Sequence, residues 1–237
     1  MGPIVPNRKF WLPLAAAQFV EKEILEKRQR AVRSAIPSVN MTRDYGQIPF
    51  SRDEVFFEDL MYFAVKGIKM KYLIQIFTDL KYSNSISQPA ISDKTIKAGK
   101  EYGTNQYSLA AQVRLYDHVI SCAKEVYGLR GYTDSQKNDG ALLVLMHDMG
   151  KVSNYLRQQG YHVSGTHSEI SGEYAKQIVS DEEDKVLKEM CFEYLAKPVA
   201  LRNYSEDMNY PGRICTAVDV ANRNRTAEAI IRKRREA

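Results

Sequence analysis

Four histidines, His118, His147, His162 and His167, all fall between residues 118 and 167 of a 237-residue chain. One of them adjoins an acid in "ALLVLMHDMGKV", Ala141 to Val152, where His147 and Asp148 close a run of six consecutive apolar residues. Taking an unpaired polar or charged group out of water is costly, so such a pair requires hydrogen-bond partners or a metal ion. His118 stands at the margin of an apolar stripe formed at helical spacing by Ala111, Leu115, Cys122 and Val126, one turn after Arg114. That position lets an imidazole point into a cleft while its helix stays packed, although a lone histidine there could simply bond a backbone carbonyl. Asp219 is set among Ile214, Ala217, Val218 and Ala221, unusual company for an unpaired carboxylate. Asn222 and Arg223, one turn on, offer it a cap or a salt bridge.

These side chains need elements to hold them. The segment "GALLVLM" is apolar all round and predicts a buried helix over 139–149. Neighbouring helical residues point about 100° apart, so His147 and Asp148 can share one ion only near a helix end. Gly150 permits a sharp exit there, and Lys151 places a cation close by. Other helices are expected at 107–127, 168–179, 181–196 and 211–235, the third of these capped by Ser180 or Asp181. Upstream, Pro13 to Ile36 reads as an amphipathic helix, and Ser51 with Glu54 forms a capping box. Helix follows through residue 82 with a break at Gly67. Residues 83–106 are polar and weakly periodic and read as a connection. No alternating strand pattern or internal repeat occurs. The expected fold class is all-α, divided into an N-terminal helical region (1–90), a main domain (107–225) and a basic C-terminal helix end or tail (226–237).

Composition narrows the classes. A 44% hydrophobic and 27% charged chain folds around a core, and 8 prolines and 13 glycines in 237 residues favour helix. The three cysteines, Cys122, Cys191 and Cys215, are too few and too scattered for a disulfide framework or zinc ribbon, which fits a reducing, cytoplasmic setting. No apolar run approaches the roughly 18 residues of a membrane span, so no membrane partner is expected. "FWLPLAAA" after Arg8-Lys9 is too short and proline-interrupted for a signal peptide. Of the net charge of +5, residues 223–237 supply +4 through six basic and two acidic side chains. Such a segment allows contact with nucleic acid, although a solvated helix face is the commoner use. Gly-rich phosphate loops and nucleophile elbows are missing from the sequence.

Taken together, His118, His147-Asp148 and Asp219 spell H…HD…D. In order and helical context this resembles the HD-domain superfamily of metal-dependent phosphohydrolases. "YDHVISCA" resembles the family's first-histidine helix, "ALLVLMHDMGK" its doublet motif, "AVDVAN" its closing aspartate motif, and "THSEISG" an additional histidine segment that many members carry. The resemblance spans roughly residues 107–225; residues 1–90 resemble nothing we can name. It implies an HD-domain-like helical bundle with an additional N-terminal helical region.

The resemblance also assigns roles. His118, His147, Asp148 and Asp219 become the metal ligands. This mixed nitrogen and oxygen set suits Mn²⁺, Fe²⁺, Co²⁺, Ni²⁺, Zn²⁺ or Mg²⁺ better than Ca²⁺, with one ion per chain and a second only through His167. Such an ion acidifies its water and polarises a phosphoryl oxygen. Asp148 also orients that water, Lys151 and Arg114 meet developing phosphate charge, and His167 serves the leaving oxygen, the phosphate or a second ion. His162, Asp117 and Glu169 have weaker claims. The expected activity is hydrolysis of a phosphomonoester, phosphoanhydride or phosphodiester in a nucleotide or nucleic acid. Two alternatives stand beside it: a DNA-processing HD protein such as a nuclease or conjugative relaxase, and an HD-fold binding module without turnover. Substrate and metal are undetermined by the sequence, and a homo-oligomer is allowed.

Overall fold

Phe56, Asp59, Leu60 and Phe63 recur every three or four residues and give α1 (Val55–Lys66) its one buried face. The helix stops at Gly67, as expected, because the chain there adopts φ +108°, a conformation that a Cβ disfavours. A Cβ would also lie 2.9 Å from Asn138 Nδ2, which donates to the Lys66 carbonyl at 2.7 Å. α2 (Met70–Tyr82) follows and buries Tyr72, Leu73, Ile76, Phe77, Asp79 and Leu80. The structure, a computed structural model, describes residues 55–90, 113–197 and 208–236, with side chains as far as 232. The expected helix over 13–36 and the Ser51–Glu54 capping box lie outside the described residues.

Residues 83–90 run back to the body, where Ala90 N–H donates to Val113 O at 2.8 Å and Leu115 N–H to Gln88 O at 2.7 Å. From that short pairing the chain enters α3 (Leu115–Glu125), prolonged by a 3-10 turn, Val126–Gly128. The next helix, α4 (Asp134–Met146), starts five residues before the expected 139. Thr133 and Gln136 form a capping box there: Thr133 Oγ1 accepts from Gln136 N–H at 3.2 Å and Gln136 Oε1 from Thr133 N–H at 3.0 Å. Its second half, Gly140 to Met146, is buried all round, as the apolar run requires. Burial of Leu143, Val144, Leu145 and Met146 is complete, and each contributes about 1.5–3 kcal/mol.

α4 ends three residues short of the expected 149. A 3-10 turn (Met149–Val152) and the short α5 (Ser153–Gln158) come next. α6 (His167–Ile178) opens on a second capping box, Thr166 with Glu169. α7 (Lys185–Ala196) is preceded by a 3-10 turn, Glu182–Asp184, and α8 (Tyr210–Glu236) closes the chain, carrying residues 226–236 as helix. Asp181 does not cap its helix as expected; its carboxylate instead takes Lys69 at 3.2 Å and also Lys71.

The described residues form an all-α bundle within one unit, Pro49–Ala237. α4 packs between α3 and α8, while α6 packs along α7 and onto the turn after Met146. The α1–α2 pair is tied to this body by Tyr116 and Lys124, each 2.6 Å from Asp59, and by Lys69, 2.6 Å from Asp184. None of the described helices is long and apolar enough to cross a membrane.

Candidate metal centre

Three helices bring the H…HD…D residues together. His118 stands in the first turns of α3, His147 caps the C-terminus of α4 with Asp148 next to it, and Asp219 lies in the third turn of α8. His118 is 6% exposed, His147 4% and Asp148 6%, so water contributes little to their solvation. His118 Nε2 lies 3.3 Å from Asp219 Oδ1 and 3.7 Å from Asp148 Oδ2, and His147 Nε2 lies 3.4 Å from the same Asp148 oxygen. The two imidazole centroids are 5.5 Å apart.

Each imidazole is turned by what holds its other nitrogen. His147 Nδ1 is 2.6 Å from the Val144 carbonyl, which can only accept. Nδ1 therefore carries the proton and Nε2 a lone pair. That Nε2 is buried and has no hydrogen-bond partner. His118 Nδ1 is 3.2 Å from Asn222 Oδ1, which leaves its Nε2 facing the two carboxylates in the same way. Lone pairs aimed at carboxylates repel unless a cation lies between them.

The donor spacing fits such a cation. Two donors held about 2.1 Å from one ion at tetrahedral to right angles lie about 3.0–3.4 Å apart; the 3.3 and 3.4 Å separations fall inside that span and the 3.7 Å one lies just beyond it. Ligand atoms of His118, His147 and Asp148 lie within 4.8 Å of one another, as do those of His118, Cys122 and Asp219. The two triads overlap at His118. A carboxylate and imidazole set of this kind, with each imidazole oriented through its remote nitrogen, is what a divalent transition-metal ion needs.

Charge around the carboxylates is equally directed. Burial alone would push the Asp148 carboxyl up, but the Lys151 ammonium beside it outweighs burial and holds the group well below the usual carboxylate range. Asp219 is likewise pushed up by burial, and the Arg223 guanidinium paired with it draws it down, to a net value below the usual carboxylate range. Burial lowers His147 below the ordinary histidine value and keeps it neutral and able to ligate.

Lys151 Nζ sits 2.6 Å from Asp148 Oδ2 and 2.6 Å from the Ala90 carbonyl, so it is already the counter-cation of the doublet. Arg114 is exposed at the N-cap of α3, one turn before His118. His167 is exposed at the start of α6, and its side chain is not among the grouped ligand atoms. Its backbone matters more: a Cβ on Gly150 would lie 1.8 Å from the His167 carbonyl oxygen. Gly150 is thus required for close approach to α6, where its N–H donates to Ser171 Oγ at 2.8 Å, and not only for a sharp exit. His162 is exposed, Glu169 serves the α6 capping box, and Asp117 lines an open groove beside α3.

Sequence reasoning missed three contributors. Asn222 was read as a cap for Asp219 but reaches His118. Glu125 and Ser121 take its amide hydrogens at 2.9 and 2.8 Å. Their i, i+4 spacing places both on one face of α3 with His118 a turn earlier, a signal that was present but points nowhere without α8. Arg223 does pair with Asp219, through Nε at 2.9 Å and through its NH2 group, and Arg225 pairs with Glu125. Two of the basic residues of the 223–237 segment are therefore spent inside the molecule. Compared with protein-family models, curated proteins and solved structures, the chain gives no match.

Proposed function

We propose that the chain is a metal-dependent phosphohydrolase of the HD type, with His118, His147, Asp148 and Asp219 holding one divalent ion. The observation that carries this reading is His147 Nε2, a buried lone pair without a hydrogen-bond partner, 3.4 Å from Asp148 and in one cluster with His118. A bound ion would supply a water acidified towards neutrality and a Lewis acid for a phosphoryl oxygen. The protein's own groups set the rest. Asp148 and Asp219 stay ionised at neutral pH, so they accept protons only transiently and act as ligands and orienting acceptors. The partly open edges of the cluster are Lys151 and Asp219, with side chains 24% and 16% exposed, and a phosphate would reach the cluster past them. Once an ion shares Asp148, Lys151 is the nearest cation to neutralise charge building on phosphate oxygens. The substrate class that fits is a phosphate ester or anhydride of a nucleotide.

Metal analysis of purified protein tests the proposal. About one divalent transition metal per chain is expected, together with hydrolysis of a generic phosphodiester or phosphomonoester reporter. Both should fall to background in the His147→Ala, Asp148→Ala double variant. Wild-type protein that remains metal-free and inactive across Mn²⁺, Co²⁺, Ni²⁺ and Mg²⁺ would overturn it, and tight metal binding without turnover on nucleotides, cyclic dinucleotides or DNA would reduce it to a binding module.

A further inference from the structure

We propose that Asn222 is a positioning residue that sets the tautomer of His118, and that Glu125 orients Asn222 for this purpose; the inference rests on the metal-centre reading above. A carboxylate paired with Arg225 offers only acceptors. The Asn222 atom 2.9 Å from Glu125 Oε1 must therefore be its amide nitrogen, and the second amide hydrogen goes to Ser121 Oγ at 2.8 Å. With both hydrogens placed on α3, the carbonyl end can only face His118 Nδ1, 3.2 Å away. An amide oxygen accepts, so Nδ1 donates; a neutral imidazole has one N–H, so Nε2 is left with its lone pair. The amide orientation and the tautomer both follow from this donor–acceptor chain. Cys122 Sγ, 3.6 Å from the same Nδ1, is a weaker acceptor for the same proton.

The arrangement guards against a specific failure. Asp219 Oδ1 and Asp148 Oδ2 lie 3.3 and 3.7 Å from His118 Nε2. Left alone, these carboxylates would draw the imidazole proton onto Nε2, where an N–H bonds them well and blocks the ligating lone pair. His147 escapes the same trap through the Val144 carbonyl, a backbone acceptor within its own helix. The His118 proton is held instead by a side chain from another helix. Asn222 is buried at 6% exposure and sits one turn from Asp219, so α8 delivers a ligand and the group that orients a second ligand on adjacent turns.

The test uses full-length, ¹⁵N-histidine-labelled, metal-free protein above the ordinary histidine titration range, with Zn²⁺ affinity measured in parallel by chelator competition. Wild type should show His118 protonated at Nδ1. Asn222→Leu should move the proton to Nε2 and weaken Zn²⁺ binding by about 10–100-fold, the range for loss of an outer-shell partner. Asn222→Asp alone sets a carboxylate against Glu125 and should also weaken binding. Adding Glu125→Gln restores a donor to that carboxylate at unchanged net charge, and the pair should recover both the Nδ1–H tautomer and Zn²⁺ affinity. If Asn222→Leu does not fold, the contrast between Asn222→Asp and the paired variant gives the same answer. An unchanged tautomer and Zn²⁺ affinity in the single variants, or no recovery in the pair, would overturn the inference. Wild-type protein that binds no Zn²⁺ would instead overturn the metal centre, while the tautomer readout still reports on Asn222.

Discussion

Asp148 and Asp79 are both buried carboxylates, 6% and 1% exposed, yet their protonation is driven in opposite directions. Asp79 accepts from Tyr174, Tyr161, Tyr155 and Gln75 at 2.8, 2.9, 3.1 and 3.2 Å. All four donors are neutral, and burial pushes the carboxyl up despite them. Asp148 is buried too, but Lys151 holds it down. The difference teaches that neutral donors satisfy the geometry of a carboxylate without replacing the hydration its charge has lost, whereas an adjacent cation does replace it. The Asp79 region is a tether, fastening α2 to α5 and α6. The Asp148 region gathers charge around lone pairs, which suits it to hold an ion.

The two regions share α6, which carries Tyr174 to Asp79 and Ser171 to Gly150. The most severe way to disturb the comparison is therefore Gly150→Ala, which sets a Cβ against main chain that cannot swing aside. A loss of about 3 kcal/mol or more is expected in urea unfolding, with near-ultraviolet ellipticity altered; a loss under about 1 kcal/mol would mean that α6 is free to move off the doublet.

Next in size is Lys151→Met, which leaves Asp148 buried without its cation. Metal-free variant should be about 3 kcal/mol less stable than wild type, and added Zn²⁺ or Mn²⁺ should raise its melting temperature more than it raises that of wild type. Equal stability of variant and wild type would show that Asp148 does not depend on Lys151 to remain charged.

The smallest effect is at the tether. Because the folded-state pKa of Asp79 is raised, its contribution is fully present below the ordinary aspartate value and is lost as pH rises through the raised value. Wild type should therefore lose stability relative to Asp79→Asn as pH goes from about 4 to about 7. A flat difference between the two urea midpoints would place Asp79 with Asp148, as a carboxylate whose charge is fully offset.

Much of this was legible in the sequence, for reasons that operate over short distances. The all-round apolar run predicted a buried helix over 139–149, and α4 is that helix with both ends shifted towards the N-terminus. Gly67 predicted a break and sits at positive φ. The start of α4 was misplaced because the Thr133–Gln136 capping box was overlooked in favour of the apolar run, although its signal spans only three residues. The candidate ligands were legible as residue types in order, since each sits on a helix whose apolar face fixes its direction.

What could not be read was which polar groups meet across helices. Asn222 and Arg223 were both assigned to Asp219, and only one of them goes there. By itself the sequence determined the helices, their buried faces and the three segments that bear His118, His147-Asp148 and Asp219, because periodicity and capping act within one or two turns. Only the tertiary structure decided that Lys151 pairs with Asp148, that Gly150 must pass against the His167 carbonyl, and that Asn222 turns His118. Those contacts depend on how α3, α4, α6 and α8 lie against one another, and a hydrogen bond of about 3 Å tolerates no error in that packing.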